Sequence, residues 1–160
     1  MLKKIDNPET LKPYITGGNS TFTIYSDKLK KRYTYHVVRD KMLKNRYLVS
    51  LMYGSDNADL KGSFRFLGLF YSDSMTLKVN SIGVYKQDAA KMLDYFLSII
   101  DKRKDWPDTC EFYPSRKCVR CGRKLTTPES ITRGIGPDCL EALGSAGKDW
   151  QLNFDNELDT

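Results

Sequence analysis

From Thr21 onward the chain alternates apolar and polar residues with a period of two, the spacing of a half-buried strand. In "TFTIYS", Phe22 and Ile24 stand against Thr21, Thr23 and Tyr25. The basic turn "DKLKKR" leads into "YTYHVV", which puts Tyr33, Tyr35 and Val37 on one face, so the two runs predict a β-hairpin. A second basic loop, "RDKMLKN", precedes a third strand, "RYLVSLMYG", with Tyr47, Val49 and Leu51 alternating. After the turn-rich "GSDNADLKG" comes a fourth strand, "SFRFLGLFY", with Phe64 and Phe66 sharing a face, and "MTLKV" is a candidate fifth. Residues 1 to 20 are polar, end in "TGGNS" and read as a loop.

The period changes to that of a helix in "KQDAAKMLDYFLSIIDKR". Ala89, Met92, Leu93, Phe96, Leu97 and Ile100 form one apolar stripe. Asp88 near its start and Lys102, Arg103 and Lys104 near its end suit the helix dipole. The fold class expected is α+β: residues 1–104 form an antiparallel sheet covered by one main helix. "DWPD" marks a boundary, residues 105–147 form a small zinc-finger-like module, and 148–160 are an acidic tail with Asp149, Asp155, Glu157 and Asp159. Trp150 and Phe154 are candidate anchors for that tail.

Composition narrows the class of protein. At 160 residues, 40% hydrophobic and 12% aromatic, the chain has enough apolar material for a core. Its net charge of +6 favours a nucleic-acid or acidic-protein partner and says nothing about fold. The start, "MLKKIDNPETLKPY", lacks the apolar region of a signal peptide. No apolar run reaches the roughly 20 residues needed to span a bilayer. No membrane association is expected, and the protein is expected in the cytoplasm of a host cell. In a reducing compartment, four cysteines point to metal before disulfides.

Those four are Cys110, Cys118, Cys121 and Cys139, all within thirty residues. "CVRCGR" has the form of a zinc knuckle: two residues between thiolates let both meet one ion, and Gly122 lets the backbone turn back. In "GIGPDC", Gly136 is a candidate N-cap, Pro137 takes the first helical position, and Cys139 falls in the first turn, where the dipole favours thiolate. Upstream, Thr127 caps "PESITR", Pro128 leads it and Gly134 closes it. These devices bring Cys139 back to the knuckle. A short strand, "CEFYPSRK", gives Cys110 a route to the fourth position of a closed structural Zn²⁺ site; a carboxylate such as Asp138, or water, is the alternative. Without metal, the same residues would be buried thiols beside an exposed CxxC.

Catalytic readings find little support. There is no HExxH, and His36, the only histidine, is followed by Val37 and Val38 rather than the H-x-E of a zinc deaminase. "GIGP" is followed by no Gly-Lys-Ser/Thr and is no phosphate loop. A non-enzymatic protein is expected, with a zinc hydrolase the weaker alternative.

Arg116, Lys117, Arg120, Arg123 and Lys124 place five cations in nine residues with no acid among them. They form a candidate partner-binding patch for phosphates or an acidic surface. The competing explanation is local charge balance against metal-bound thiolates. Lys28, Lys30, Lys31, Arg32, Lys41, Lys44 and Arg46 add two basic turns, which are usually only solvated.

The stretch "CVRCGRKLTTPESITRGIGPDC" resembles a zinc-finger-like domain of unknown function common in bacteriophage and bacterial proteins. The match runs through Cys118, Cys121, Gly122, Arg123, Leu125, Thr126, Pro128, Ser130, Gly134, Ile135, Gly136, Pro137 and Cys139. It covers about residues 110 to 143, and the β-rich segment before it is similar to what often precedes this finger in phage proteins. The resemblance implies a histidine a few residues before the first cysteine. Here Pro114 stands near that place, so Cys110 is the expected substitute. Some phage proteins of this size with zinc sites resemble anti-CRISPR inhibitors. The resemblance therefore implies a phage-type binding protein with structural zinc, plausibly a counter-defence inhibitor whose partner is a type II CRISPR effector nuclease. A zinc-finger nucleic-acid-binding accessory protein is the alternative.

Overall fold

A computed structural model describes residues 8–52, 64–80 and 87–144. The expected tail at 148–160 and the "GSDNADLKG" connector lie outside the described residues. The architecture is α+β. Six strands form one antiparallel sheet: β1 (Asn19–Ser26), β2 (Lys31–Arg39), β3 (Arg46–Met52), β4 (Phe64–Tyr71), β5 (Lys78–Val79) and β6 (Cys110–Pro114), in the order β5-β4-β3-β2-β1-β6. Helices α1 (Pro8–Ile15) and α2 (Gln87–Ile100) cover one face of it, and two short helices, α3 (Pro128–Arg133) and α4 (Pro137–Ala142), belong to the cysteine region.

The alternation works as expected in the first three strands. Phe22, Ile24, Tyr35, Val37, Tyr47, Val49 and Leu51 are all buried beneath the helices. Phe22 stacks on Phe112 with ring centroids 4.8 Å apart and on Tyr35 at 5.6 Å, while Tyr35 Oη donates to the Ala89 carbonyl at 2.7 Å. The stripe on α2 is buried at Ala89, Met92, Leu93, Phe96 and Leu97.

Three expectations are corrected, and one, the face shared by Phe64 and Phe66, is borne out and located. First, residues 8–15 are a helix, not a loop. Leu11, Tyr14 and Ile15 lie three and four apart and are fully buried. Pro13 inside so short a segment hides that pattern, and the helix stands because burial offsets the propensity cost of proline. Second, Phe64 and Phe66 do share a face, but it is the one away from the helices. Pairing runs from Ser50–Phe66 to Val49–Gly68 and skips Leu67. That bulge reverses the alternation, so Leu67 and Phe70 enter the core instead.

Third, α2 ends at Ile100, before the three cations assigned to its last turn. Lys102 takes a left-handed conformation (φ 60°), its N–H bonds the Ile99 carbonyl and the Arg103 N–H bonds that of Ser98. This is a Schellman stop with lysine where glycine is usual. Fourth, the sheet does not close at residue 104. β6 pairs along β1, from Phe22–Pro114 to Ser26–Cys110, and buries Phe112 in the main core. The sheet layer therefore runs through Pro114, and the small module begins after it.

Tyr14 holds three segments at one point. Its hydroxyl donates to the Thr21 carbonyl at 3.0 Å and accepts from the Ser115 N–H at 2.9 Å. Tyr14→Phe strands the buried Thr21 carbonyl and the half-buried Ser115 N–H, each lost bond costing about 1–3 kcal/mol. Urea unfolding is expected to show a lowered midpoint with an unchanged slope; an unchanged midpoint would mean that water replaces the hydroxyl.

Candidate metal centre

The knuckle is a short hairpin built by backbone bonds. Cys118 N–H donates to Arg123 O and Leu125 N–H to Arg116 O, both at 2.8 Å, and Lys117 stands directly opposite Lys124. Gly122 closes the turn at φ 78°, a left-handed conformation, with its N–H on Cys118 O at 2.8 Å.

Cys139 is returned by the two helical turns that the sequence indicates. Thr127 Oγ1 accepts from Ser130 N–H at 3.3 Å, and Gly134 ends α3 at φ 73°. Gly136 then caps α4, with Pro137 in its first turn. Two bonds fold this arm onto the knuckle: Val119 N–H to Gly134 O at 3.0 Å, and Gly136 N–H to the Cys118 sulfur at 3.4 Å. Leu125 and Ile135 are buried with Cys118 and Cys139 in a small second core.

The sulfurs of Cys118, Cys121 and Cys139 all lie within 4.8 Å of one another. Tetrahedral thiolate–metal bonds of about 2.3 Å would set sulfurs about 3.8 Å apart. A contraction of about one ångström thus suffices, the donors are soft, and a backbone N–H already points at one sulfur. The residues fit a metal ion. No other described Cys, His, Asp or Glu side chain completes the group, which leaves one tetrahedral corner to water or another donor.

The electrostatics show what the ion would relieve. Burial pushes the Cys118 thiol up, but the N–H groups of Gly136, Cys121 and Arg120 outweigh it and leave it below the ordinary thiol value. For Cys139, burial dominates; an Arg120 hydrogen bond opposes it, the neighbouring sulfurs of Cys121 and Cys118 add to it, and the thiol is pushed up to about 11. The helix start expected to favour thiolate at Cys139 is therefore overridden. Three close thiols cannot all ionise unaided, and a divalent cation reverses that balance.

Cys110 is not brought to this cluster. It pairs with Ser26 at the far end of β6, packs against the main core, and lines an open groove with Tyr95 and Phe96. An extended strand advances about 3.3 Å per residue, so β6 carries Cys110 away from Cys118 instead of returning it. Asp138 is exposed and outside the sulfur cluster. Of the five cations, Arg120 serves the Cys139 thiol; Arg116, Arg123 and Lys124 are exposed, and Lys117 is half-buried.

Sequence reasoning missed Asn19 and its link to His36. Asn19 N–H donates to Val119 O at 2.7 Å, and Asn19 Nδ2 donates to Cys121 O at 3.2 Å. That leaves Asn19 Oδ1 to accept from His36 Nε2 at 2.5 Å, which fixes the proton on that nitrogen. Burial, and then the charge of Lys117, lowers the His36 pKa and keeps the ring neutral near pH 7. A Cβ on Gly122 would lie 2.6 Å from Asn19 Nδ2, and one on Gly17 would lie 2.6 Å from a Val119 methyl. "TGGNS" is thus the seat of the finger; its paired glycines were the available signal.

Residues 108–144 match a family of unknown function (DUF6011), a span that coincides with the finger and its entry strand. No curated protein and no solved structure matches the chain.

Metal uptake distinguishes the cysteines. Cys118→Ser and Cys139→Ser are each expected to abolish stoichiometric zinc binding by elemental analysis, whereas Cys110→Ser keeps it. Below pH 11 or so, binding must displace the Cys139 proton. Affinity should therefore fall at least about tenfold per pH unit on acidification from 8 to 6. Uptake independent of pH, or lost in Cys110→Ser, contradicts the assignment.

Proposed function

We propose that the protein is a non-catalytic binding protein in which Zn²⁺ at Cys118, Cys121 and Cys139 stiffens a cationic finger for an anionic macromolecular partner. The observation that carries this reading is a charge surplus. A divalent ion with three thiolates leaves one net negative charge, against five cations between residues 116 and 124. Arg120, hydrogen-bonded to Cys139, accounts for local balance. Arg116, Lys117, Arg123 and Lys124 have no ion pair among the described residues.

A rigid hairpin carrying unpaired cations loses little side-chain and backbone freedom when it meets phosphate or carboxylate groups. A counter-defence inhibitor seated on a nuclease complex, as the motif resemblance implies, is one protein of this kind, and a nucleic-acid accessory protein is another. Zinc is the ion of choice because a sulfur-only donor set in a short loop suits its tetrahedral, redox-silent chemistry. No turnover of nucleotides, nucleic acids or peptides is expected. No described carboxylate or imidazole joins the three sulfurs within ligand distance to act as a base there.

The test is retention on a polyanion. Zinc-loaded protein should bind heparin and elute with salt, and Arg116→Gln/Arg123→Gln should elute markedly earlier while keeping its zinc and its melting temperature. Coincident elution of variant and parent would refute the cationic finger.

Metal removal gives an independent check. The small core of the finger cannot hold it alone, whereas the sheet has its own core. Chelation should abolish hydrogen-exchange protection across residues 116–144 and leave β1, β2 and β6 protected. Loss of protection in all strands together would instead make the finger a brace for the whole fold.

A further inference from the structure

The face of the sheet away from α1 and α2 has a composition that folding alone does not require. One row across the four central strands reads Thr21, His36, Ser50, Phe66. The adjacent row holds Tyr113, Thr23 and Thr34, with Phe64 paired to Met52 further along. Phe66 is 40% exposed, and the His36 and Phe64 rings lie 5.6 Å apart, tilted at 58°. The two rows carry rings and hydroxyls and no formal charge.

At one end of this face stands the finger, tied down by the His36–Asn19–Cys121 link. Its hairpin sets Lys117 directly opposite Lys124, an arrangement of like charges that repels. Neither lysine has an ion pair among the described residues, and Lys117 lies near enough to His36 to act on its ionisation. An anion between the two would relieve the repulsion.

We propose that this face, walled by the finger, binds single-stranded nucleic acid, with His36, Phe64 and Phe66 receiving bases and Lys117 and Lys124 receiving the phosphate backbone. The proposal rests on the reading of the finger as a binding surface and names its ligand. A flat ring-bearing sheet accepts bases whose faces are free, while a basic rim tracks the backbone. A duplex keeps its base faces stacked away and would meet only the lysines. An acidic peptide would find no cation in the two rows and no use for the rings. The half-buried hydroxyl of Ser50 adds a donor and acceptor beside the rings.

Fluorescence anisotropy on the full-length, zinc-loaded protein tests this. The probes are labelled oligo(dT) and oligo(U) single strands and a mixed-sequence duplex of the same length, over a salt series. Single strands should bind about tenfold or more tighter than the duplex. Phe66→Leu, which keeps an apolar residue at an exposed position, should weaken them about tenfold with the salt slope unchanged, and Phe66→Trp should restore binding. Lys117→Gln/Lys124→Gln should instead reduce the log–log salt slope by about 1.4, at about 0.7 per phosphate contact. Equal affinity for duplex and single strand, or Phe66→Leu binding like the parent, overturns the base platform and leaves a cationic finger. Heparin retention with no oligonucleotide binding overturns the ligand class alone. No binding to heparin or to any oligonucleotide at about 50 mM salt overturns both this proposal and the finger's role.

Discussion

The seating of the finger on the sheet at Asn19 is the contact on which the functional geometry depends. Asn19 gives its backbone N–H to Val119 and its side-chain N–H to Cys121. Between those two bonds Val119 itself is fully buried and joins the main core. Burying one valine contributes about 1.5–3 kcal/mol and each bond about 1 kcal/mol. That is too little to fold the knuckle, yet enough to orient it once a metal ion has folded it. The glycine pair before Asn19 is a condition of the contact, because a side chain at Gly17 would occupy the place of Val119. A metal ion at the three thiols would supply the order of the finger, and the loop between α1 and β1 supplies its position.

The thiol cluster and the cations around it solve different halves of one electrostatic problem. Cys118 receives N–H donors and ionises most readily, while Cys139 is buried and holds its proton to about 11. Arg120 leans on Cys139 and helps that thiol ionise. The remaining cations are turned outward. A hairpin that sets Lys117 against Lys124 carries like-charge repulsion that a bound anion would relieve.

Local chemistry was legible in the sequence wherever it was encoded by neighbours. Alternation located four strands, the stripe from Ala89 to Ile100 located α2, and Thr127, Pro128, Gly134, Gly136 and Pro137 located both turns that return Cys139. What escaped was encoded by tertiary context. Among its described side chains α1 buries three, Leu11, Tyr14 and Ile15, and it carries a proline inside, too little signal without the sheet it packs on. The skipped Leu67 cannot be seen in a single strand, since a bulge is a property of a pair. Cys110 looked like a ligand because only sequence distance was available. Pairing of β6 with β1 turned that short distance into an extended one. His36 lies far from the cysteines in sequence, yet one asparagine connects it to Cys121.

The same bulge ties β4 to the surface that the finger overlooks. Had β4 kept a regular alternation, Phe64 and Phe66 would lie beneath the helices, and the outer rows would be threonine, serine and histidine alone. Skipping Leu67 satisfies the core with Leu67 and Phe70 and leaves two phenylalanines to the other side. An exposed aromatic beside the middle of a sheet invites sheet-to-sheet association unless polar groups interrupt it. Thr23 and Thr34, hydrogen-bonded across strands at 2.8 Å, together with Ser50, supply that interruption. The result is a face too polar to act as a second core and too aromatic to be merely solvated. It adjoins the finger, whose Lys117 and Lys124 have no ion pair among the described residues, so ring surface and charge are brought together by one asparagine.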